Sequence, residues 1–202
     1  SSSEDNAIYN KGSGVVSFSE DMKTVTNKDK LEVVVSRNAM CSISDVNGRI
    51  IEQYKVPYGA TIEVANSTDL ESGNKIASWD PYTRPIISET SGKVKFTDIE
   101  DGVTVREQLD ELTGLSSIET IEVADRTTAG RDMVPTIEIV DSKGKPVLIG
   151  EFNQPAVYPL PAGGLVNLVN GQKLTAGEVI ARMPLVASKT KDITGGLPRV
   201  DD

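Results

Sequence analysis

The chain has 202 residues, with 21 Lys+Arg against 30 Asp+Glu, no His, one Cys, and only five Tyr, three Phe and one Trp. Without His there is no Ser-His-Asp or Cys-His nucleophile system and no imidazole base or metal ligand, and one Cys forbids an intrachain disulfide or a thiolate zinc cage. The net charge of −9 argues against direct nucleic-acid binding, which needs clustered Lys and Arg, while 38% apolar residues suffice for a core in one large or two small domains.

Taken in order, the chain alternates apolar and polar residues with a period of two. Leu31-Glu32-Val33, Ile43-Ser44-Asp45, Lys93-Val94-Lys95-Phe96, Val103-Thr104-Val105, Ile121-Glu122-Val123 and Ile137-Glu138-Ile139 all read as half-buried strands. Turn residues separate them, and Asn47-Gly48 and Asn170-Gly171 are the strongest hairpin signals, because both residue types tolerate positive φ. Two stretches have helical spacing or propensity: Val105, Leu109 and Leu112, and the run from Thr175 to Arg182. The reading is an all-β chain with at most one or two helical turns. Apolar runs such as Val33-Val34-Val35 are far too short to span a membrane. No secretory signal peptide is read, and the lone Cys41 fits a reducing compartment, so a cytoplasmic location is expected.

An internal duplication carries more information than any single motif. Tyr54-Lys-Val-Pro57-Tyr-Gly59 matches Tyr158-Pro-Leu-Pro161-Ala-Gly163. The register then holds for Ile62 with Val166, Val64 with Leu168, Asn66 with Asn170, Leu70 with Leu174, Gly73 with Gly177, and Ile76-Ala77 with Ile180-Ala181. Upstream, Ile43-x-Asp45-x-x-Gly48 matches Ile139-x-Asp141-x-x-Gly144, with eight extra residues in the second copy before the Tyr motif. The expectation is two tandem barrel-sandwich hybrid modules, a fold that hides its strand edges. The boundaries read from the chain are a tether at 1–12, modules at 13–118 and 119–187, and a return segment at 188–202.

No catalytic constellation emerges. The carboxylates Asp98-Glu100-Asp101 and Glu107-Asp110-Glu111 lack the spacing of a calcium loop and read as solvated turn charges. Asp45-Val46-Asn47-Gly48 starts like such a loop but lacks its closing acid, and a hairpin turn accounts for it. Asn66-Ser67-Thr68 is formally a glycosylation acceptor, meaningful only with secretion. Cys41 reads as a small buried hydrophobe, and Trp79, in Trp79-Asp80-Pro81-Tyr82, as a core anchor ahead of a binding aromatic.

The run Lys191-Asp-Ile-Thr-Gly-Gly-Leu-Pro-Arg-Val200 resembles the stretch that closes the trigger loop of the bacterial RNA polymerase β′ subunit. Tyr54–Ala60, Trp79-Asp-Pro81, Ser91–Asp98 and Asp110–Ser117 resemble the large insertion that many Gram-negative bacteria carry in that loop. The likeness covers about Asn10 to Val200; residues up to about Ala7 match poorly, and Asp201-Asp202 departs from the family's Ala-Asp-Leu-Phe.

What this resemblance implies is a non-catalytic insertion, itself two barrel-sandwich hybrid modules, that modulates trigger-loop movement and so elongation, pausing and transcript cleavage. The loop's catalytic His and Arg belong to an arm upstream of Ser1, and Ile193, Thr194, Gly195, Gly196, Leu197, Pro198 and Arg199 form the returning arm. No cofactor is expected here, since the family's magnesium and zinc lie outside the insertion. The expected partners are other parts of the polymerase, the jaw and the secondary-channel rim, with no membrane and a monomeric fragment. Two rival classes are a biotinyl or lipoyl carrier module, which needs a Met-Lys-Met hairpin absent here, and an extracytoplasmic β-sandwich interaction module.

Overall fold

The computed structural model describes residues 6–109 and 111–185, and strand is nearly the only regular structure in them. The chain divides into two units between Pro81 and Tyr82.

The first unit holds β1 (Ala7–Tyr9), β2 (Gly14–Phe18), β3 (Thr24–Thr26), β4 (Glu32–Val34), β5 (Met40–Ser44), β6 (Ile50–Lys55), β7 (Thr61–Ile62), β8 (Asp69–Leu70) and β9 (Lys75–Ser78). They form a five-stranded sheet, β1-β9-β7-β4-β3, and a four-stranded sheet, β6-β5-β2-β8. All pairings are antiparallel, as short strands joined by tight turns require. Side chains from both sheets, including Ile8, Val34 and Ile76 from one and Val16, Cys41 and Ile43 from the other, make one core.

The second unit repeats this order strand for strand. It holds β10 (Thr83–Ile87), β11 (Gly92–Thr97), β12 (Val105–Leu109), β13 (Ser116–Thr120), β14 (Thr136–Val140), the small hairpin β15 (Leu148–Ile149) and β16 (Gln154–Pro155), then β17 (Val157–Pro159), β18 (Leu165–Val166), β19 (Lys173–Leu174) and β20 (Val179–Pro184). The sheets are β10-β20-β18-β13-β12 and β17-β14-β11-β19. Its core sets Val94, Ile137, Ile139, Leu160, Val166, Leu174, Ile180 and Ala181 where the first unit has Val16, Cys41, Ile43, Val56, Ile62, Leu70, Ile76 and Ala77. Cys41 thus occupies an isoleucine position in a fully buried core, as expected of a small hydrophobe.

Two close approaches fix where each duplicated sheet begins. A Cβ on Gly14 would lie 2.6 Å from the Ser44 carbonyl oxygen and 2.7 Å from Ile43 Cγ2, and one on Gly92 would lie 2.7 Å from both the Val140 oxygen and Ile139 Cγ2. Only glycine allows β2 to cross β5, and β11 to cross β14, at this distance. Four residues on, Phe18 N donates to Asn66 Oδ1 at 3.0 Å and Phe96 N to Asn170 Oδ1 at 2.9 Å, which explains the paired asparagines.

The module boundary differs from the expected 118/119, which would fall inside β13. Residues 83–97 pair with β20, β14 and β19, so they belong to the second copy. The missing clue is Gly14-x-Val16-x-Phe18 against Gly92-x-Val94-x-Phe96, whose offset of 78 residues differs from the 104 separating Tyr54 and Tyr158. The tether expected at 1–12 also changes, because Ala7–Tyr9 is the edge strand β1 and Ile8 and Asn10 are buried. The return segment, 188–202, lies outside the described residues.

Besides the stretch from β11 through the longer β12–β13 hairpin, which raises the offset from 78 at Val94 to 86 at Thr120, the extra residues of the second unit lie in two places. One is the β15–β16 hairpin. The other is the link from β13 to β14, where Ile121-Glu122 leaves the strand and two short 3-10 turns follow, Val123–Asp125 and Thr128–Gly130. Buried Arg126 organises this link: Nε donates to the Ile121 carbonyl at 3.0 Å and Nη1 to those of Gly130 and Met133 at 3.2 and 3.0 Å. Neither stretch with helical spacing is a helix. Val105–Leu109 is β12, and the run from Thr175 turns at Gly177, φ +87°, into β20.

Candidate functional site

Among the described residues, a concave surface with convergent chemistry belongs to the first unit. A cleft of roughly 580 Å³ is lined by Tyr9, Lys11, Tyr54, Lys55 and Trp79, with the β1 backbone along one wall. Strands β1 and β6 are each the outer strand of their sheet. Tyr54 lies on β6 opposite Cys41, and both Tyr54 and Trp79 pack against the core while reaching the cleft. Trp79 is therefore an anchor with one exposed side, which joins the two alternatives open at the sequence level.

Glu52, two residues before Tyr54 and so on the same strand face, ties Tyr54 to the chain after β1 beside the cleft. Its Oε1 accepts the Tyr54 hydroxyl at 2.5 Å and Lys11 N at 2.8 Å, and its Oε2 accepts Gly12 N at 2.8 Å. Desolvation would raise its pKa, but the bonds from Tyr54, Lys11 and Gly12 and the Lys11 charge outweigh it and hold the carboxyl below its ordinary value. Burial, then the hydrogen bond to Glu52, pushes the Tyr54 phenol up to about 12. The Cys41 thiol is pushed up to about 11, first by burial and then by the Glu52 charge, which makes it a poor nucleophile. At neutral pH Tyr54 and Cys41 keep their protons and Glu52 stays ionised, so the set is suited to recognition rather than proton transfer.

The other sequence candidates scatter. Asp45 Oδ1 accepts Asn47 N and Arg49 N, and Asp141 Oδ1 accepts Lys143 N and Lys145 N, so both are hairpin turns. Asp98 Oδ2 accepts Val134 N, and Asp101 Oδ1 accepts Glu107 N. Among the described residues no three acidic or thiol side chains come together as a metal site. Ile193, Thr194, Gly195, Gly196, Leu197, Pro198 and Arg199 lie outside the described residues. Glu52 and Lys11 escaped the sequence reading; the signal was the alternation Glu52-x-Tyr54, which puts a carboxylate beside the repeat's tyrosine.

In class, then, the chain is a duplicated all-β segment with an aromatic, lysine-flanked cleft in its first unit, and among its described residues no helix is long and apolar enough to cross a membrane. No family model matches it. It is 49% identical over 196 residues to the DNA-directed RNA polymerase subunit beta' of Alcanivorax borkumensis, covering 97% of this chain and 14% of that protein. It is 45% identical over 198 residues to that of Idiomarina loihiensis (98% and 14%) and 46% over 182 residues to that of Pseudomonas aeruginosa (90% and 13%). Over nearly its whole length this chain is thus a relative of one segment of bacterial RNA polymerase β′ subunits, and it spans about 14% of their length.

Proposed function

We propose that the chain is a non-catalytic body inserted in the trigger loop of a bacterial RNA polymerase β′ subunit, where it biases the loop between open and closed states. The observation that carries this reading is the match of 97% of the chain to a 14% stretch of β′, taken together with the Lys191–Val200 likeness to the end of that loop. A folded body in a mobile loop acts on the loop only through contacts that differ between its two positions. Such contacts, with the jaw and the secondary-channel rim, need be worth only ~1–2 kcal/mol to shift the populations roughly five- to thirtyfold. A net charge of −9 suits a part that touches protein rather than the nucleic-acid channels, in the cytoplasm, with the family's magnesium and zinc held elsewhere.

Deleting residues 10–187 from the full subunit tests this. The expected enzyme still adds nucleotides but pauses and cleaves transcripts at changed rates. Pause lifetimes and cleavage rates equal to those of the intact polymerase would remove the proposal.

A further inference from the structure

We propose that the cleft of the first unit is a docking site for an extended, acidic segment of a partner protein, which adds alongside an edge strand and sets its carboxylates against Lys11 and Lys55. The duplication isolates the features concerned from those that merely build the fold. Asn10 and Ser88 are equivalent, since their carbonyls accept Gly73 N and Gly177 N at 2.8 Å in each case. In the same register Tyr9, Lys11, Tyr54, Lys55 and Trp79 correspond to Ile87, Glu89, Tyr158, Pro159 and Met183. Only the tyrosine is common to both: in the second unit its hydroxyl accepts Glu89 N directly, and in the first it is linked to Lys11 N through Glu52. Two cations and two further aromatics have been placed around it in one copy alone, whereas the other copy carries buried Ile87 and an acid at these positions. The fold therefore does not require them.

Their chemistry selects the occupant. Lys11 and Lys55 are exposed, the described residues lining the cleft include no carboxylate, and Glu52, bonded to Tyr54 beside it, is already engaged by three donors. The cleft thus has a cationic excess in a chain of net charge −9, and it complements carboxylates. Two outer strands, β1 and β6, offer backbone to a segment in extended conformation, the geometry of strand addition. Tyr9, 43% exposed, and Trp79 supply flat apolar surface for the side chains between the acids. Nucleic acid is the poorer fit, because two lysines are few for a phosphate backbone and strand edges have no counterpart on it.

The test uses the intact 202-residue chain and the emission of Trp79, its one tryptophan. The probe is an eight-residue peptide alternating Glu or Asp with Val, beside the same peptide carrying Gln and Asn, and an octauridylate. The acidic peptide is expected to shift the emission saturably, with binding weakened by salt. Lys11→Glu with Lys55→Glu is expected to weaken it about tenfold or more, and Tyr9→Ser to weaken it less. Amide shifts confined to β1, β6 and Trp79 support the same site independently of those variants. No response at about 1 mM peptide, an equal response to the neutral peptide, a stronger one to the octauridylate, undiminished binding by the lysine variant, or shifts mapping elsewhere would each overturn the proposal. The measurement needs no polymerase, so its outcome is separate from that of the deletion above.

Discussion

The same tyrosine does two different things in the two units. In the second, Glu89 N donates straight to the Tyr158 hydroxyl at 3.0 Å. In the first, the equivalent Lys11 N donates to Glu52, which in turn accepts the Tyr54 hydroxyl. Glu52 stands where the second unit has fully buried Ala156. The link from β6 or β17 to the chain after β1 or β10 is thus a requirement of the fold, and its chemical means is free to vary. One unit has used that freedom for charge and a cleft, the other for added length at β15–β16 and around Arg126.

The comparison is broken most severely at its shared positions. Gly14→Ala and Gly92→Ala should each cost about 3 kcal/mol, since both new methyl groups meet backbone. Urea denaturation followed by amide exchange, unit by unit, checks this; a harmless Gly92→Ala would mean that β11 is not the counterpart of β2. A reciprocal exchange is next in size. Val34 N bonds the Ala60 carbonyl and Thr120 N that of Gly164, so the two residues are equivalent, and both are buried. Thr120 Oγ1 has no hydrogen-bond partner. Thr120→Val should stabilise the second unit by about 1–2 kcal/mol, and Val34→Thr should destabilise the first by a similar amount. Opposite signs are the point of the measurement; equal signs would refute the equivalence.

The duplication was legible because core positions and turn glycines recur at a constant offset wherever no insertion intervenes. Val166, Leu174 and Ile180-Ala181 are buried in the second core as Ile62, Leu70 and Ile76-Ala77 are in the first, as the matching read them. The boundary was not legible from that register, because the insertions fall between Phe96 and Tyr158 and change the offset. Ile121-Glu122-Val123 alternates like a strand, yet the buried Arg126 side chain takes the Ile121 carbonyl and turns the chain away. The cleft was only half visible. Trp79 carried a signal, but Lys11 and Lys55 are ordinary surface lysines until β1 and β6 bring them to one place.

The smallest expected effect separates the two tyrosines by pH. The Glu52 carboxyl is held below its ordinary value in the folded chain, so its contribution is complete at neutral pH and is lost as pH falls through that lowered value. Tyr54 has the opposite sign: its phenol is raised from 10.0 to about 12, so its contribution is complete below pH 10 and lost as pH rises through about 12. Ala156 gives the second unit nothing to titrate at the Glu52 position. Trp79 emission during urea unfolding should therefore report a midpoint that drops in acid, whereas Glu52→Gln should start lower by about 1 kcal/mol at pH 7 and lose less on acidification. Carboxyl carbon shifts locate the transition directly. If Glu52 titrates at or above an ordinary glutamate, its bonds from Lys11, Gly12 and Tyr54 do not favour the charged form, and the two units hold their tyrosines by equally neutral means.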